Sequence, residues 1–176
     1  MRIRLEEIRE KPFEWRETRE VGVEEVDHPD VEAIGPVHWQ GRLSFADPGY
    51  LLVAAYRYEQ TLTCNRCLGS VTEKVDDRFE LLLQPADEPV EEGEIELGEE
   101  DLGIVPVSGE TVELEPLLIE QIQLNVPMKP LCSADCAGLC PSCGANLDEG
   151  SCSCSTGEVD PRWEALAAMK GRLGAS

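Results

Sequence analysis

The sequence is poor in aromatic residues, in histidine and in positive charge. Aromatic residues make up 5% of the 176 positions, there are two histidines, and 15 Lys and Arg face 36 Asp and Glu. With 41% hydrophobic residues the chain can still bury a core, which we expect to be modest and mainly aliphatic. The formal net charge of -21 opposes direct attraction to phosphate backbones and favours a basic partner.

Long hydrophobic runs are also absent. The longest apolar stretch, residues 50–56, is far shorter than the roughly 20 residues that a membrane-spanning helix needs. The N-terminus alternates charged and apolar residues and has no apolar segment typical of a secretory signal. We therefore expect a cytoplasmic protein without a membrane partner, whose cysteines are kept reduced.

Motifs for catalysis are missing as well. The sequence contains no P-loop, no G-x-S-x-G and no H-E-x-x-H. The two histidines, His28 and His38, lie in the N-terminal part, where we interpret each as a surface or turn residue. The sequence therefore predicts a protein that is not an enzyme and has no small-molecule substrate.

One stretch is acidic and contains no cation. Residues 79–128 include no Lys or Arg, while fourteen positions are acidic. Nine of these lie within residues 85–101, where mutual repulsion predicts a solvated linker. Docking of this linker to a basic partner is a compatible interpretation.

A β meander is predicted over residues 34–83. Apolar and aromatic residues alternate with polar ones on either side of Asp47-Pro48-Gly49, a turn signal because Pro presets φ and Gly accepts positive φ. Residues 50–63 and 71–83 are expected to be strands joined by a tight turn. Other expected elements are a short strand leading into a polar loop in residues 1–15, an edge strand carrying Val21, Val23 and Val26, and a short strand at 102–107.

Two helices are predicted. The segment 112–126 repeats apolar residues at near-helical spacing, and Pro116 suits a first helical turn, which places a helix at 113–125. A second helix is expected to begin at Asp160-Pro161 and to bury Trp163.

The predicted fold class is α+β: an antiparallel β meander or partly open barrel with two helices and a cysteine-rich, zinc-binding C-terminal segment. We expect residues 1–127 to form the mainly β domain. Residues 128–176 are expected to form the zinc-binding tail.

Eight cysteines are the strongest chemical signal. They follow the spacing C-x2-C and then C-x3-C-x3-C-x2-C-x8-C-x-C, and they are Cys64, Cys67, Cys132, Cys136, Cys140, Cys143, Cys152 and Cys154. Zinc takes four soft ligands in a tetrahedron, and each C-x2-C is followed closely by a glycine that we expect to relieve strain. We predict two structural zinc ions. Disulfides, a thioredoxin-like redox pair and an iron–sulfur cluster fit the setting and spacing less well.

The division of the eight thiols is left open between two arrangements. The favoured one joins Cys140, Cys143, Cys152 and Cys154, because closing a short loop costs little entropy. Its second site is then formed by the other four cysteines, which would tie the tail to the hairpin. The alternative joins the two glycine-flanked C-x2-C pairs. In either case residues 132–154 contain few apolar side chains, so metal must stabilise them.

The residues around the cysteines resemble a known family. The segment C-N-R-C-L, the run P-L-C-S-A-D-C-A-G-L-C-P-S-C-G-A-N-L and the later D-P-R-W-E-A-L are similar to those of the YceD family, the large ribosomal RNA subunit accumulation proteins. The similarity spans residues 56–173. It implies a role in ribosome biogenesis with no assigned catalytic residue. Family members that keep only the first C-x2-C favour a distal quartet that binds metal by itself.

Two functional hypotheses follow. The first is a non-enzymatic ribosome-biogenesis factor that binds a basic ribosomal protein or a pre-ribosomal particle through its acidic surface. The alternative is a zinc-dependent RNA-binding protein that contacts ribosomal RNA through the zinc loops and the cations Arg57, Arg66, Lys129 and Arg162. We interpret Tyr56 and Tyr58 as packing residues and not as platforms for stacked bases.

Overall fold

A computed structural model describes residues 1–85, 104–154 and 162. The chain divides into two compact units: Met1–Asn65 with Gly69–Ala134, and Arg66–Leu68 with the described part of Asp135–Ser176. The helices and strands of the described residues are β1 Arg2–Arg4, α1 Leu5–Glu10, β2 Phe13–Arg19, α2 Val23–Val26, β3 Val31–Ile34, β4 Val37–Ala46, β5 Gly49–Thr63, β6 Ser70–Pro85, β7 Ile104–Val107, β8 Thr111–Glu113 and α3 Leu114–Leu124.

The main sheet of the first unit has six strands. Its order is β2-β4-β5-β6-β7, and β3 pairs with the far end of β5. Strands β4, β5 and β6 form an antiparallel meander, joined at Asp47-Pro48 and at the C-x2-C turn, as the alternating sequence predicts. Two strands far from each other in sequence, β1 and β8, pair separately.

Strict alternation gives the sheet two different faces. Trp39 of β4 lies opposite Tyr56 of β5, and both side chains are buried, at 1% and 2% exposure. Their neighbours His38 and Arg57 are also paired with each other, and both are exposed. Since a shift of one residue would exchange these faces, the buried side chains determine the register.

Helix α3 covers the inner face. Leu114, Leu118 and Ile122 are fully buried at the i, i+4 spacing of one helix face. The Tyr56 hydroxyl donates to the Gln121 carbonyl at 3.4 Å and accepts from the Asn125 amide, which ties the helix C-terminus to β5. Burial beside Asp77 raises the pKa of Tyr56 to about 12, so this hydroxyl is protonated at neutral pH.

Strand β7 is the one parallel neighbour in the described part of the sheet. Leu82 of β6 pairs with Ile104 and Pro85 pairs with Val107, so the strands run in the same direction. The short strand predicted at 102–107 is therefore present over its described part, but its parallel pairing has no local sequence signal. Residues 86–103 connect the two strands, and most of the predicted acidic linker lies outside the described residues.

Two local predictions were wrong. The polar loop expected after the first strand contains α1, because Leu5 and Ile8 at i, i+3 spacing both enter the core, and then β2. The edge strand expected around Val23 and Val26 is the short helix α2, which begins where the Gly22 N–H donates to Glu25 Oε1 at 2.9 Å. Alternation over four residues does not separate the two structures. The helix predicted at 113–125 is confirmed as α3, which is one residue shorter at each end; Val112 and Glu113 belong to β8.

The described chain is mainly sheet with few helices, and within it the sheet does not close into a barrel. The second predicted helix, with Trp163, lies outside the described residues. The predicted division at residues 127 and 128 stays a prediction. No helix in the described ranges is long and apolar enough to cross a membrane.

Candidate metal centre

The eight cysteines lie in two groups of four. One group is Cys64, Cys67, Cys132 and Cys136, and the other is Cys140, Cys143, Cys152 and Cys154. Within each group the sulfur atoms lie within 4.8 Å of one another. A tetrahedral site with zinc–sulfur bonds of about 2.3 Å places its sulfurs roughly 3.8 Å apart, which lies within this bound. The grouping matches the favoured sequence arrangement and not the alternative.

The distal quartet is built by backbone hydrogen bonds of the second unit. The Gly144 N–H donates to the Cys140 carbonyl and the Cys140 N–H donates to the Ala145 carbonyl, both at 2.8 Å. Leu139 and Asn146 form an isolated antiparallel bridge at the base of this turn. The turn therefore presents Cys140 and Cys143 from one side, while Cys152 and Cys154 arrive from the following segment.

The electrostatics of the distal quartet favour a cation. Backbone N–H groups of Ser142 and Cys143 point at the Cys140 sulfur and lower its pKa to about 6, so this thiol ionises readily. A hydrogen bond that the Cys154 thiol donates to Cys143, together with desolvation and the nearby Cys140 charge, raises the pKa of Cys154 to about 11. Four thiolates this close together repel one another, and a divalent ion removes that repulsion.

The proximal quartet is supported by contacts at two places in the chain. The Cys132 N–H donates to Cys64 Sγ at 3.4 Å, and the Asn65 N–H donates to the Pro130 carbonyl at 2.9 Å. In the second unit the Arg66 guanidinium donates to the Cys136 carbonyl at 2.8 Å. A sulfur that accepts backbone N–H bonds is suited to the thiolate form that a metal requires.

The two C-x2-C turns solve the same backbone problem with different residues. Gly144 follows Cys143 with φ of +73°, in the left-handed region, as the glycine rule predicts. In the first turn the equivalent position is Leu68, with φ of +59°, and Gly69 comes one residue later. The expectation that Gly69 relieves strain there was therefore wrong, since a leucine 63% exposed holds the strained position.

Replacing Gly144 with alanine should weaken the second turn. A Cβ at this position meets nothing within 4 Å, so the expected cost of about 1 kcal/mol comes from the left-handed backbone alone. Leu68 shows that a side chain can adopt this conformation, so the variant should fold. Chemical unfolding of the metal-loaded protein measures the change. Gly150→Ala, also in open space but without positive φ, is the control, and an equal effect of both substitutions would contradict the argument.

Sequence reasoning missed the side chains next to the thiols. Asp148 accepts from the Cys136 thiol at 3.1 Å and from the Ala137 N–H at 2.9 Å, and these bonds, the backbone one first, lower its pKa. The Asp148 N–H in turn donates to Asn146 Oδ1 at 3.1 Å, an Asx-type contact. The only sequence signal for Asn146 and Asp148 was this turn chemistry, because eight cysteines already supply all the ligands of two sites.

The other residues singled out from sequence have ordinary roles. His28 Nδ1 accepts from the Asp30 N–H in a turn, and His38 is exposed on β4 with Thr18 Oγ1 at 2.7 Å from its Nδ1. Tyr56 and Tyr58 are both buried and stack on each other, as predicted for packing residues.

The comparisons with known proteins identify the family. The family described as large ribosomal RNA subunit accumulation protein YceD matches residues 52–170. The chain belongs to the YceD family. The match includes both C-x2-C pairs and all eight cysteines, so the resemblance inferred from the cysteine segments is confirmed.

Individual YceD relatives agree. An uncharacterized protein of Mycobacterium tuberculosis is 32% identical over 136 residues, which is 74% of this chain and 60% of that protein. A chloroplastic homologue from Arabidopsis thaliana, named large ribosomal RNA subunit accumulation protein, is 28% identical over 64% of this chain and 42% of its own length. The Bacillus subtilis protein YlbN is 25% identical over 94% and 92%. The chain thus spans about 60% of the mycobacterial relatives, and no solved structure matches it.

Proposed function

We propose that this protein is a non-enzymatic ribosome-biogenesis factor that supports the accumulation or maturation of large-subunit ribosomal RNA. Membership of the YceD family carries the proposal, because relatives bear the name large ribosomal RNA subunit accumulation protein. The protein acts by binding a basic ribosomal protein or a pre-ribosomal particle, in the cytoplasm. In this role it converts no substrate.

Charge supports a basic partner. The chain carries -21 formal charges, and the cation-free stretch holds nine acidic residues within 85–101. On either side of residues 86–103 the chain belongs to the main sheet, at Pro85 of β6 and at Ile104 of β7. An acidic stretch attached to a folded support presents a field that attracts basic proteins and speeds their association.

Zinc in both quartets is the structural part of the proposal. All-thiolate sets of four are closed sites, in which the metal has no open position for a substrate. Residues 132–154 are largely exposed, with Cys136 and Cys140 the buried side chains of the second unit's described part. The two zinc ions therefore stabilise the shape of this segment, and the acidic stretch supplies the attraction.

Capture of partners by the tagged protein tests the proposal. We expect one or a few basic ribosomal proteins, or a large-subunit precursor, to be enriched at low salt, to persist after nuclease treatment and to decline at high salt. Changing Glu91, Glu92 and Glu94 to glutamine should reduce the capture several-fold. Equal neutralisation of three exposed acids elsewhere, Glu6, Glu10 and Glu120, is the matched control.

Two results would reject the proposed partner. Loss of every captured component on nuclease treatment would favour the zinc-dependent RNA-binding alternative. If the Glu91, Glu92 and Glu94 variant and the control variant both captured as much partner as the wild type, the acidic stretch would not be the docking element.

A further inference from the structure

Arginines from distant parts of the chain meet on the outer face of the main sheet. We define the outer face as the side chains of β2, β4, β5 and β6 that point away from α3. Its central row of paired residues is Arg16, Gln40, Ala55 and Arg78. Arg42 follows Gln40 by two residues on β4, and Arg57 follows Ala55 by two residues on β5. Because β4 and β5 are antiparallel, the two arginines lie on opposite sides of the central row. Neighbouring strands are about 4.8 Å apart, so four guanidinium groups surround a small central area.

This face is close to neutral in a strongly acidic chain. Around the central row the four arginines lie among three exposed acids, which are Glu14, Asp76 and Glu80. Three adjoining hollows cover the outer face and the neighbouring N-terminal edge; Arg16 is shared by two of them and Arg42 by two. Seven of the chain's 15 Lys and Arg line them, but only four of its 36 Asp and Glu. In a chain of net charge -21, this local excess of cations is where a polyanion meets least repulsion.

The arginine side chains are available to a ligand. Arg57 and Arg78 are exposed and make no side-chain hydrogen bond or ion pair with any described residue, although Asp76 lies opposite Arg57 in the register. Within the described part of the chain, Arg16 donates only through its Nε, to Gln40 Oε1 at 2.7 Å. Arg42 has a long, exposed contact of 3.6 Å with Glu14, which contributes little.

We propose that the outer face binds the phosphate backbone of RNA. Arginine presents a planar fork of donors that matches phosphate oxygens, and a set of four spread over several strands fits a chain of phosphates better than one small anion. The central row carries no aromatic side chain, so bases are not stacked and binding does not depend on sequence. The choice of RNA among polyanions rests on the proposed function.

Labelled single-stranded RNA tests this surface by fluorescence anisotropy with the metal-loaded protein. We expect binding at about 50 mM salt that is lost near 200 mM, as for backbone contacts. Arg57→Gln with Arg78→Gln should weaken binding about tenfold and lower the slope of log K against log salt by about 1.4, since each phosphate contact to a single strand contributes about 0.7. Neither side chain has a hydrogen-bond or ion-pair partner among the described residues, so the thermal midpoint should not change.

Matched variants separate the surface from total charge. Arg9→Gln with Lys129→Gln removes two exposed cations outside the central area and should change the affinity less than twofold. Arg57→Lys with Arg78→Lys keeps the charge but loses the planar fork, so it should keep the salt slope and lose less affinity than the glutamine pair. Equal loss in both glutamine pairs would overturn the proposal, as would undetectable RNA binding by the wild type at low salt.

An acidic polypeptide is the competing occupant. If labelled polyglutamate binds the face and RNA does not, the assignment to RNA is wrong. Failure of this inference also differs from failure of the proposed function. A protein that captures ribosomal components but does not bind free RNA loses only the outer-face assignment, whereas RNA binding without any such capture rejects the assembly role.

Discussion

Replacing Cys140 and Cys143 together with serine is expected to remove one metal ion per chain and to unfold the described part of the distal segment. Two thiolates of a quartet cannot complete a tetrahedral site, and serine is a poor ligand for zinc. Structural zinc contributes about 10–16 kcal/mol in apparent terms to small domains. Residues 135–154 have little buried apolar surface to replace that contribution.

Elemental analysis and limited proteolysis measure this result together. Wild type should contain about two zinc ions per chain and the variant about one, with new cleavage sites between residues 135 and 154. Ser142→Ala is the matched control, because its exposed side chain lies inside the same turn and is not a ligand. Metal content unchanged in the double variant would contradict the distal site, and iron in place of zinc would correct the identity of the metal.

The same experiment separates the two units. The first unit has its own core around Trp39, Leu52 and Leu118, none of which is a metal ligand. Tryptophan fluorescence of the main sheet should therefore survive the loss of the distal ion. A collapse of that signal would show that the sheet depends on the distal site for its stability.

The sequence was sufficient to predict the fold wherever a local pattern is compatible with a single structure. Alternation over the long strands β4, β5 and β6 determines both pairing and face, since a shift would expose Trp39 and bury Arg57. For the cysteines, loop length favoured one of two partitions: Cys143 and Cys152 are separated by eight residues, and they lie in the same group of four.

Short or long-range features could not be predicted in this way. Helix α2 spans four residues and buries only Val26, and such a short window does not distinguish a helix from a strand. The parallel pairing of β6 with β7 joins strands that are separated in sequence by residues 86–103, and no local pattern specifies their relative direction. The left-handed conformation of Leu68 was not predicted, because the adjacent Gly69 is the residue type expected to adopt positive φ.

The outer face shows the same limit for function. Arg16, Arg42, Arg57 and Arg78 are widely separated in an acidic sequence, and only the strand register brings them together. Total charge indicated that RNA contact was disfavoured. The distribution of that charge over the fold allows an RNA surface and an acidic docking stretch in one chain.

The second large effect is expected in the core, from Leu52→Ala. Leu52 lies near the start of β5, between Leu43 of β4 and Leu81 of β6, and its side chain is fully buried. Removing it leaves a cavity that the well-packed sheet and α3 cannot fill by relaxing, so we expect a loss of about 2–5 kcal/mol. Against a typical total stability of about 5–15 kcal/mol, this loss is large.

The adjacent residue provides the control. Val53 is 40% exposed on the outer face, so Val53→Ala should cost less than about 1 kcal/mol, mainly through strand propensity. Urea unfolding of both metal-loaded variants, followed by tryptophan fluorescence, gives the two free energies. If Val53→Ala proved the more damaging substitution, the assignment of inner and outer faces would be reversed, and with it the exposure of Arg57 and Arg78 on which the RNA surface depends.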